Sequence, residues 1–217
     1  MLTNENIRDF IISEVNRLGP KADLNYIDVS NITDMNHLFA GVDFRGDISQ
    51  WDVSSVLSMG SMFYSSRFNG DISDWNVSNV KTMRHMFRAS EFNRDISRWT
   101  VSNVADMLQM FSSSKFNKDI SHWDVSSVTD MRWMFAESKF NGDISSWNVS
   151  NVVDMDNMFN QAKFSGDISD WHFNEIVKID AFLRTILNDS KSRKDKKEAK
   201  ILKLSIESSL SKPIRSL

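Results

Sequence analysis

The stretch from Trp51 to Asp74, WDVSSVLSMGSMFYSSRFNGDISD, recurs along most of the chain. A degenerate copy that begins at Ile27 precedes it. The leading tryptophan returns every 24 residues with no insertion or deletion, at Trp75, Trp99, Trp123, Trp147 and Trp171. A fixed repeat of this length is typical of a solenoid, in which each unit buries its apolar side against its neighbours.

Positions that keep the same residue type in nearly every copy predict the core. Eleven of the twelve methionines fall in two columns, and valine, phenylalanine and isoleucine form further columns. In one copy, part of this set is Val80, Met83, Met86 and Phe87. Spacings of three, three and one place such residues on one face of a short helix. The segment from Ile72 to Val77 is β-prone and apolar at both ends, so it predicts a strand.

We therefore expect an α/β repeat solenoid that is leucine-rich-repeat-like, with a parallel β-sheet on one face and short helices on the other, closed by helical N- and C-terminal caps. Four parts follow each other along the chain. They are an N-terminal cap helix in 1–26, six 24-residue repeats in 27–170, a degenerate seventh repeat with the C-terminal cap in 171–188, and a basic helical tail in 189–217.

The N-terminal cap helix is predicted over residues 4–18, because an apolar stripe runs along this segment and Gly19-Pro20 ends it. The stripe consists of Ile7, Phe10, Ile11, Val15 and Leu18. It is expected to cover the first repeat, whose edge would otherwise expose backbone groups and core.

The repeats carry the signature W-x-V-S-N-V-x-x-M-x-x-M-F-x-x-A/S-x-F-x-x-D-I-S from Ile27 to Trp171, about two thirds of the chain. This pattern resembles the BspA-type leucine-rich repeats of bacterial surface proteins, which are also abundant in mycoplasma lipoproteins. The resemblance implies a leucine-rich-repeat-like solenoid that binds macromolecules and has no catalytic activity.

Motifs for catalysis are missing from the sequence. Cysteine is absent, which removes disulfides, thiolate metal sites and cysteine nucleophiles. No Ser/His/Asp constellation, phosphate-binding loop or H-E-x-x-H motif occurs. We therefore predict that the protein is not an enzyme and that it uses no cofactor and no metal.

A column of aspartates is the strongest candidate for a metal site. Its members are Asp47, Asp71, Asp95, Asp119, Asp143 and Asp167. Carboxylates one strand spacing apart, ~4.8 Å, resemble a cation-binding rail. The alternative is that each Asp accepts hydrogen bonds from backbone N–H groups or from Ser in its own turn. We favour this structural alternative, because the Gly-Gly-x-Gly-x-Asp turns of calcium solenoids are absent.

Variable positions on the predicted helix face are the first candidate binding surface. This surface, the Trp133 patch, consists of Tyr64, Arg84, His85, Arg88, Leu108, Gln109, Arg132 and Trp133. Tyr, Trp and Arg dominate protein interfaces because they combine large contact area with directional polar groups. The patch therefore predicts a protein-binding site. The alternative is that Trp133 merely packs over the neighbouring helix.

Variable positions on the predicted strand face are the competing candidate. This surface, the His122 patch, includes Arg98, Thr100, His122 and Asp124. Mixed polar surfaces of this kind serve protein recognition in repeat proteins. The alternative is a face that is simply solvated.

Charge divides the chain into an acidic body and a basic tail. Residues 184–217 contain ten Lys or Arg and four acids, although the whole chain has a net charge of -3. The central basic cluster is Lys191, Arg193, Lys194, Lys196, Lys197 and Lys200. It is expected to dock on the acidic body as a solvated helix, or to contact nucleic acid or an anionic membrane.

The sequence thus predicts a non-enzymatic protein–protein interaction module whose partner is a protein of unknown identity. An adaptor that contacts nucleic acid or an anionic membrane through the tail is the alternative, and self-association stays open. We expect a cytoplasmic location, because no signal peptide or membrane anchor is recognisable. A surface or secreted location by another route also stays open.

Overall fold

The computed structural model describes residues 2–173, and within them it contains one helix, α1, at Ile7–Leu18. No β-strand occurs in that range, where parallel pairing is limited to isolated bridges between neighbouring repeats. The predicted α/β solenoid, with a parallel sheet facing a row of short helices, is therefore wrong. The predicted C-terminal cap beyond residue 173 and the basic tail lie outside the described residues. In the described part of the chain, no helix is long and apolar enough to cross a membrane.

The segment predicted to be helical, residues 80–87, is a series of tight turns. Two of them are closed by bonds from Met86 N–H to Met83 O at 3.1 Å and from Arg88 N–H to His85 O at 3.1 Å. Every second N–H group donates instead to the next repeat, namely those of Met83, His85, Phe87 and Ala89. His85 also has a left-handed φ of 58°, which a right-handed helix excludes. The helix prediction failed because successive i→i+3 turns repeat the three-residue spacing of a helix face.

The segment predicted to be a strand, from Ile72 to Val77, is also built from turns. The carboxylate of Asp71 accepts a hydrogen bond from Ser73 N–H at 3.0 Å. Trp75 N–H then donates to Ile72 O at 3.3 Å. Both bonds join residues only two or three positions apart, so they cannot extend a ladder to the adjacent turn of the stack. A side-chain acceptor that captures a local N–H competes with strand pairing, and β-propensity does not register this competition.

Equivalent side chains of successive repeats stack on one another, and the predicted core columns are confirmed. Both methionine columns are 0% exposed. The rings of Phe63 and Phe87 stack with centroids 5.6 Å apart and planes 4° apart. Each tryptophan of the repeat column adds a polar link, as when Trp75 Nε1 donates to the carbonyl of Ile48, 27 residues earlier, at 3.1 Å. The tryptophan column therefore fills the core and also joins the repeats.

The register between repeats equals the sequence period. The isolated bridges join residues 24 positions apart, for example Asp106 and Asp130. An asparagine column adds a second link, in which Asn93 N–H donates to Asn69 Oδ1 at 2.9 Å. The same contact recurs in the next two repeats. Because equivalent groups pair at every step, a shift of the register between repeats would lose these hydrogen bonds.

The N-terminal helix α1 lies within the predicted residues 4–18, so a helix there is confirmed. Ile7, Ile11 and Val15 are buried in the core. Phe10 and Leu18 are 38% and 44% exposed, so the predicted buried stripe was too wide.

The residues before α1 satisfy the open edge of the first repeat. Asn4 Oδ1 accepts hydrogen bonds from Thr33 N–H at 3.1 Å and Asp34 N–H at 3.2 Å. In the second repeat, the equivalent N–H groups of Leu57 and Ser58 donate to Thr33 O. The Asn4 amide thus takes the place of a carbonyl that a preceding repeat would supply.

Candidate functional site

The six aspartates of the predicted column close turns, as the structural alternative proposed. Each accepts a hydrogen bond from the backbone N–H of the serine two residues later, at 2.9–3.0 Å. This bond, together with one from the serine hydroxyl, lowers the pKa of every Asp in the column. Among residues 2–173, no three His, Cys, Asp or Glu side chains are grouped so as to hold a metal ion.

The Trp133 patch lies on the segments of tight turns. His85, Gln109 and Trp133 occupy the same position of three consecutive repeats, with left-handed φ values of 54–58°. The left-handed conformation costs an L-residue about 1–2 kcal/mol. Ser61 and Asn157 occupy this position in the flanking repeats. The stack therefore accepts a small side chain here, and the three large ones are not needed to form it.

At one end of the patch, Arg88 lies over Tyr64. Its guanidinium carbon is 5.6 Å from the centroid of the tyrosine ring, within the range of a cation–π interaction. Within the described residues, no carboxylate forms an ion pair with Arg88. Burial lowers the pKa of the neighbouring His85, and the charges of Arg84 and Arg88 lower it further. This end of the patch is therefore positively charged and centred on an aromatic ring.

At the other end of the patch, carboxylates hold Arg132. Its Nε and Nη2 atoms donate to the two oxygens of Asp130, at 3.0 and 2.6 Å. The Nε atom also lies 3.8 Å from Asp154 Oδ2. Asp130 raises the pKa of Arg132 most, and Asp154 adds to the effect. The guanidinium of Arg132 is thus largely occupied within the molecule.

The aspartates that partner these arginines were missed from the sequence. Asp106, Asp130 and Asp154 occupy the bridge position of three consecutive repeats, and Asp106 Oδ2 lies 4.0 Å from Arg84 Nε. Their signal was present, since each stands two residues before the variable column that contains Arg132.

The His122 patch lies on the segments of Asx turns, and its four side chains are exposed. Arg98 Nη1 is 3.0 Å from Asp74 Oδ1, with the two side chains 76% and 77% exposed. Ion pairs this exposed contribute little to stability. Asp124 Oδ1 accepts a hydrogen bond from Ser126 N–H at 3.0 Å, so this carboxylate closes a turn. The patch therefore offers polar groups but few preorganised contacts.

A shallow groove of about 490 Å³ lies further along the side of the His122 patch. It is lined by Ser145, Ser146, Trp147, Asn148, Asp170 and His172. Because Trp147 is buried, the groove presents mainly polar side chains.

Comparison with known proteins assigns the repeats to a family. The family described as "Mycoplasma protein of unknown function, DUF285" matches the chain twice, over residues 6–115 and 91–196. No curated protein and no solved structure matches. The two family matches overlap and together span α1 and all six repeats. The chain is therefore a repeat protein that belongs to this Mycoplasma family, DUF285.

Proposed function

We propose that the chain is a non-enzymatic interaction module that binds a protein partner through the Trp133 patch. The observation that supports this proposal is the left-handed position of the repeat, where large side chains replace small ones. His85 and Trp133 stand where Ser61 and Asn157 suffice for the stack. Large side chains that the scaffold does not need point to a role at the surface.

The backbone of the same segment supports the proposal further. Gln109 N–H donates to Arg132 O of the next repeat at 2.9 Å. The repeats are joined here by main-chain groups, which every residue type provides. Side chains on this surface can therefore change without loosening the stack, as a binding surface requires.

A relation to the BspA-type repeats of bacterial surface proteins is part of the proposal. The signature around the tryptophan, methionine and phenylalanine columns resembles those repeats. The resemblance concerns the repeat sequence and implies binding of macromolecules. The adaptor function through the basic tail rests on tail composition alone and stays a prediction.

The test compares two double variants that remove matched groups from the two patches. Arg88→Ala/Trp133→Asn alters the Trp133 patch, and Arg98→Ala/His122→Asn alters the His122 patch. Each removes one guanidinium and one aromatic ring, and Asn at 133 copies Asn157. Both variants and the unmodified chain are immobilised, and proteins captured from an extract of the native host are quantified. Thermal unfolding, followed by circular dichroism, checks that both variants fold.

We expect at least one protein that the unmodified chain and the His122-patch variant capture equally and that the Trp133-patch variant loses. Loss that is confined to the His122-patch variant would contradict the proposal and assign binding to the other side. Equal capture by all three proteins would also contradict it.

A further inference from the structure

The arginines at the two ends of the Trp133 patch differ in what they contact. Arg132 donates to both oxygens of Asp130. Arg88 contacts the ring of Tyr64, and no carboxylate in residues 2–173 forms an ion pair with it. A ring face attracts a guanidinium but does not use its N–H donors, which lie in the guanidinium plane and stay available to other acceptors. Arg88 is therefore available to an external anion, and Arg132 is not.

Neighbouring groups make the surroundings of Arg88 positive. Arg84 and Arg88 both lower the pKa of His85, and their effects rank ahead of the opposing effect of Asp106. Arg84 has Asp106 as an ion-pair partner at 4.0 Å, a longer contact than the 2.6 Å between Arg132 and Asp130. Complementarity of charge therefore favours an anionic ligand at this end of the patch.

Apolar surface lies beside these charges. Tyr64, the residue on whose ring Arg88 lies, is 37% exposed. An aromatic ring under an arginine is a common arrangement at protein interfaces, where a carboxylate pairs with the guanidinium and an apolar side chain covers the ring. A polyanion such as DNA instead requires cations that follow a regular line of phosphates, and Arg132, two repeats along from Arg88, is already occupied by Asp130.

We propose that the Tyr64–Arg88 end of the Trp133 patch binds an acidic segment of a protein, with an Asp or Glu carboxylate on Arg88 and an apolar side chain against the exposed part of Tyr64. This inference rests on the proposed function, because it names the chemistry of the partner for the same patch. The experiment below can nevertheless contradict this inference without contradicting the proposed function.

The experiment selects ligands from a random peptide library displayed on phage. The unmodified full-length chain is the bait, and Tyr64→Ala/Arg88→Ala is used for counter-selection. Selected peptides are synthesised, and their affinities are measured by fluorescence anisotropy. Arg98→Ala is the matched control, because Arg98 belongs to the same 24-residue repeat and already pairs with Asp74. Arg88→Lys tests whether the planar guanidinium is needed.

We expect the selected peptides to share an Asp or Glu next to an aromatic or aliphatic residue. Arg88→Ala should weaken their binding roughly tenfold or more, the loss expected for a hot-spot arginine. Arg88→Lys should give a smaller loss, and Arg98→Ala should leave binding unchanged.

Two outcomes would overturn this inference in different ways. Peptides that depend on Tyr64 and Arg88 but lack acidic residues would contradict the acidic partner and leave the proposed function intact. A library that yields no peptide dependent on these residues would contradict the binding site at the Tyr64–Arg88 end, whereas capture from the host extract decides the proposed function separately. Double-stranded DNA and anionic phosphatidylglycerol vesicles are measured in parallel. If Arg88→Ala weakens binding to either of them as much as to the peptides, the site is a general anion site and the proposal fails.

Discussion

The two sides of each repeat hold the stack together by different means. On the side of the Trp133 patch, main-chain N–H groups such as that of His85 donate to the next repeat, here to Leu108 O at 2.8 Å. On the side of the His122 patch, main-chain N–H groups donate to Asp and Asn side chains in local Asx turns. There the tryptophan side chains join the stack, as when Trp99 Nε1 donates to Ile72 O at 3.0 Å. The surface side chains on the side of the Trp133 patch can therefore vary. The side of the His122 patch instead depends on a tryptophan that must be present in each repeat after the first.

The largest expected effect comes from removing one of the tryptophans that join the repeats. Trp99 is 3% exposed, and its ring stacks on Trp123 with centroids 6.5 Å apart. We expect Trp99→Ala to lower the free energy of unfolding by about 3–5 kcal/mol, the usual cost of a large buried aromatic. Urea unfolding followed by circular dichroism measures this change.

Two milder substitutions separate the indole hydrogen bond from the packing. Trp99→Phe removes the indole hydrogen bond to Ile72 O, which keeps Trp75 N–H as a donor. The lost bond and the smaller ring should together cost about 1–3 kcal/mol. Met110→Leu, on the other side of the repeat, conserves volume and should cost less than about 1.5 kcal/mol. If Trp99→Phe costs no more than Met110→Leu, the indole bond is not a significant link.

The next largest effect is expected from acidification. It should destabilise the turns on the side of the His122 patch, because all six aspartates of the column respond together. Hydrogen bonds from the following serine lower their pKa. A lowered folded-state pKa stabilises the fold above the unfolded value of about 3.9, and this stabilisation is lost as the pH falls through the folded value. Glu14, whose pKa is lowered to about 2 by Arg17 and Tyr26, acts in the same direction. We expect a melting temperature that is constant from about pH 7 to 5 and falls below about pH 4.

The control for acidification replaces all six aspartates by asparagine. Asn keeps a side-chain oxygen that closes the same kind of turn, as Asn76 Oδ1 does for Ser78 N–H at 3.2 Å. Because an amide does not titrate in this range, the variant should lose less stability on acidification. An equal decrease in both proteins would show that other groups control the acid response.

The apolar columns were predictable from the sequence because burial depends on residue type and period. The local conformation was not. Val80, Met83 and Met86 have helix spacing, yet main-chain bonds between repeats compete with i→i−4 bonds and win in this segment. A single sequence shows the period of the side chains but not the partners of the backbone groups. For the same reason, the left-handed φ of His85 could not be foreseen, since no glycine or asparagine marks that position in most repeats.

The sequence was enough to predict which residues form the Trp133 patch, because positions 24 residues apart stack in any regular repeat protein. It was not enough to predict that the two ends of the patch differ in their contacts. It depends on Arg132 meeting Asp130 and Asp154 while Arg88 meets Tyr64. Such contacts follow from side-chain direction, which the turn conformation sets, and the predicted helix would have pointed these side chains elsewhere.

The smallest expected effect tests the turn conformation that distinguishes the Trp133-patch side. Ala89 is exposed and left-handed, with φ of 55°, and Gly41 occupies its position in the first repeat. Ala89→Gly should raise the free energy of unfolding by up to about 1 kcal/mol, because glycine adopts a positive φ without steric cost.

Ala105→Gly is the matched control, since Ala105 is exposed but not left-handed. There the added freedom of the unfolded chain should lower stability by about 0.5–1 kcal/mol. Urea unfolding of both variants measures the change in the free energy of unfolding and its sign. A lower free energy of unfolding for Ala89→Gly would contradict the left-handed turn and with it the geometry that presents Arg88.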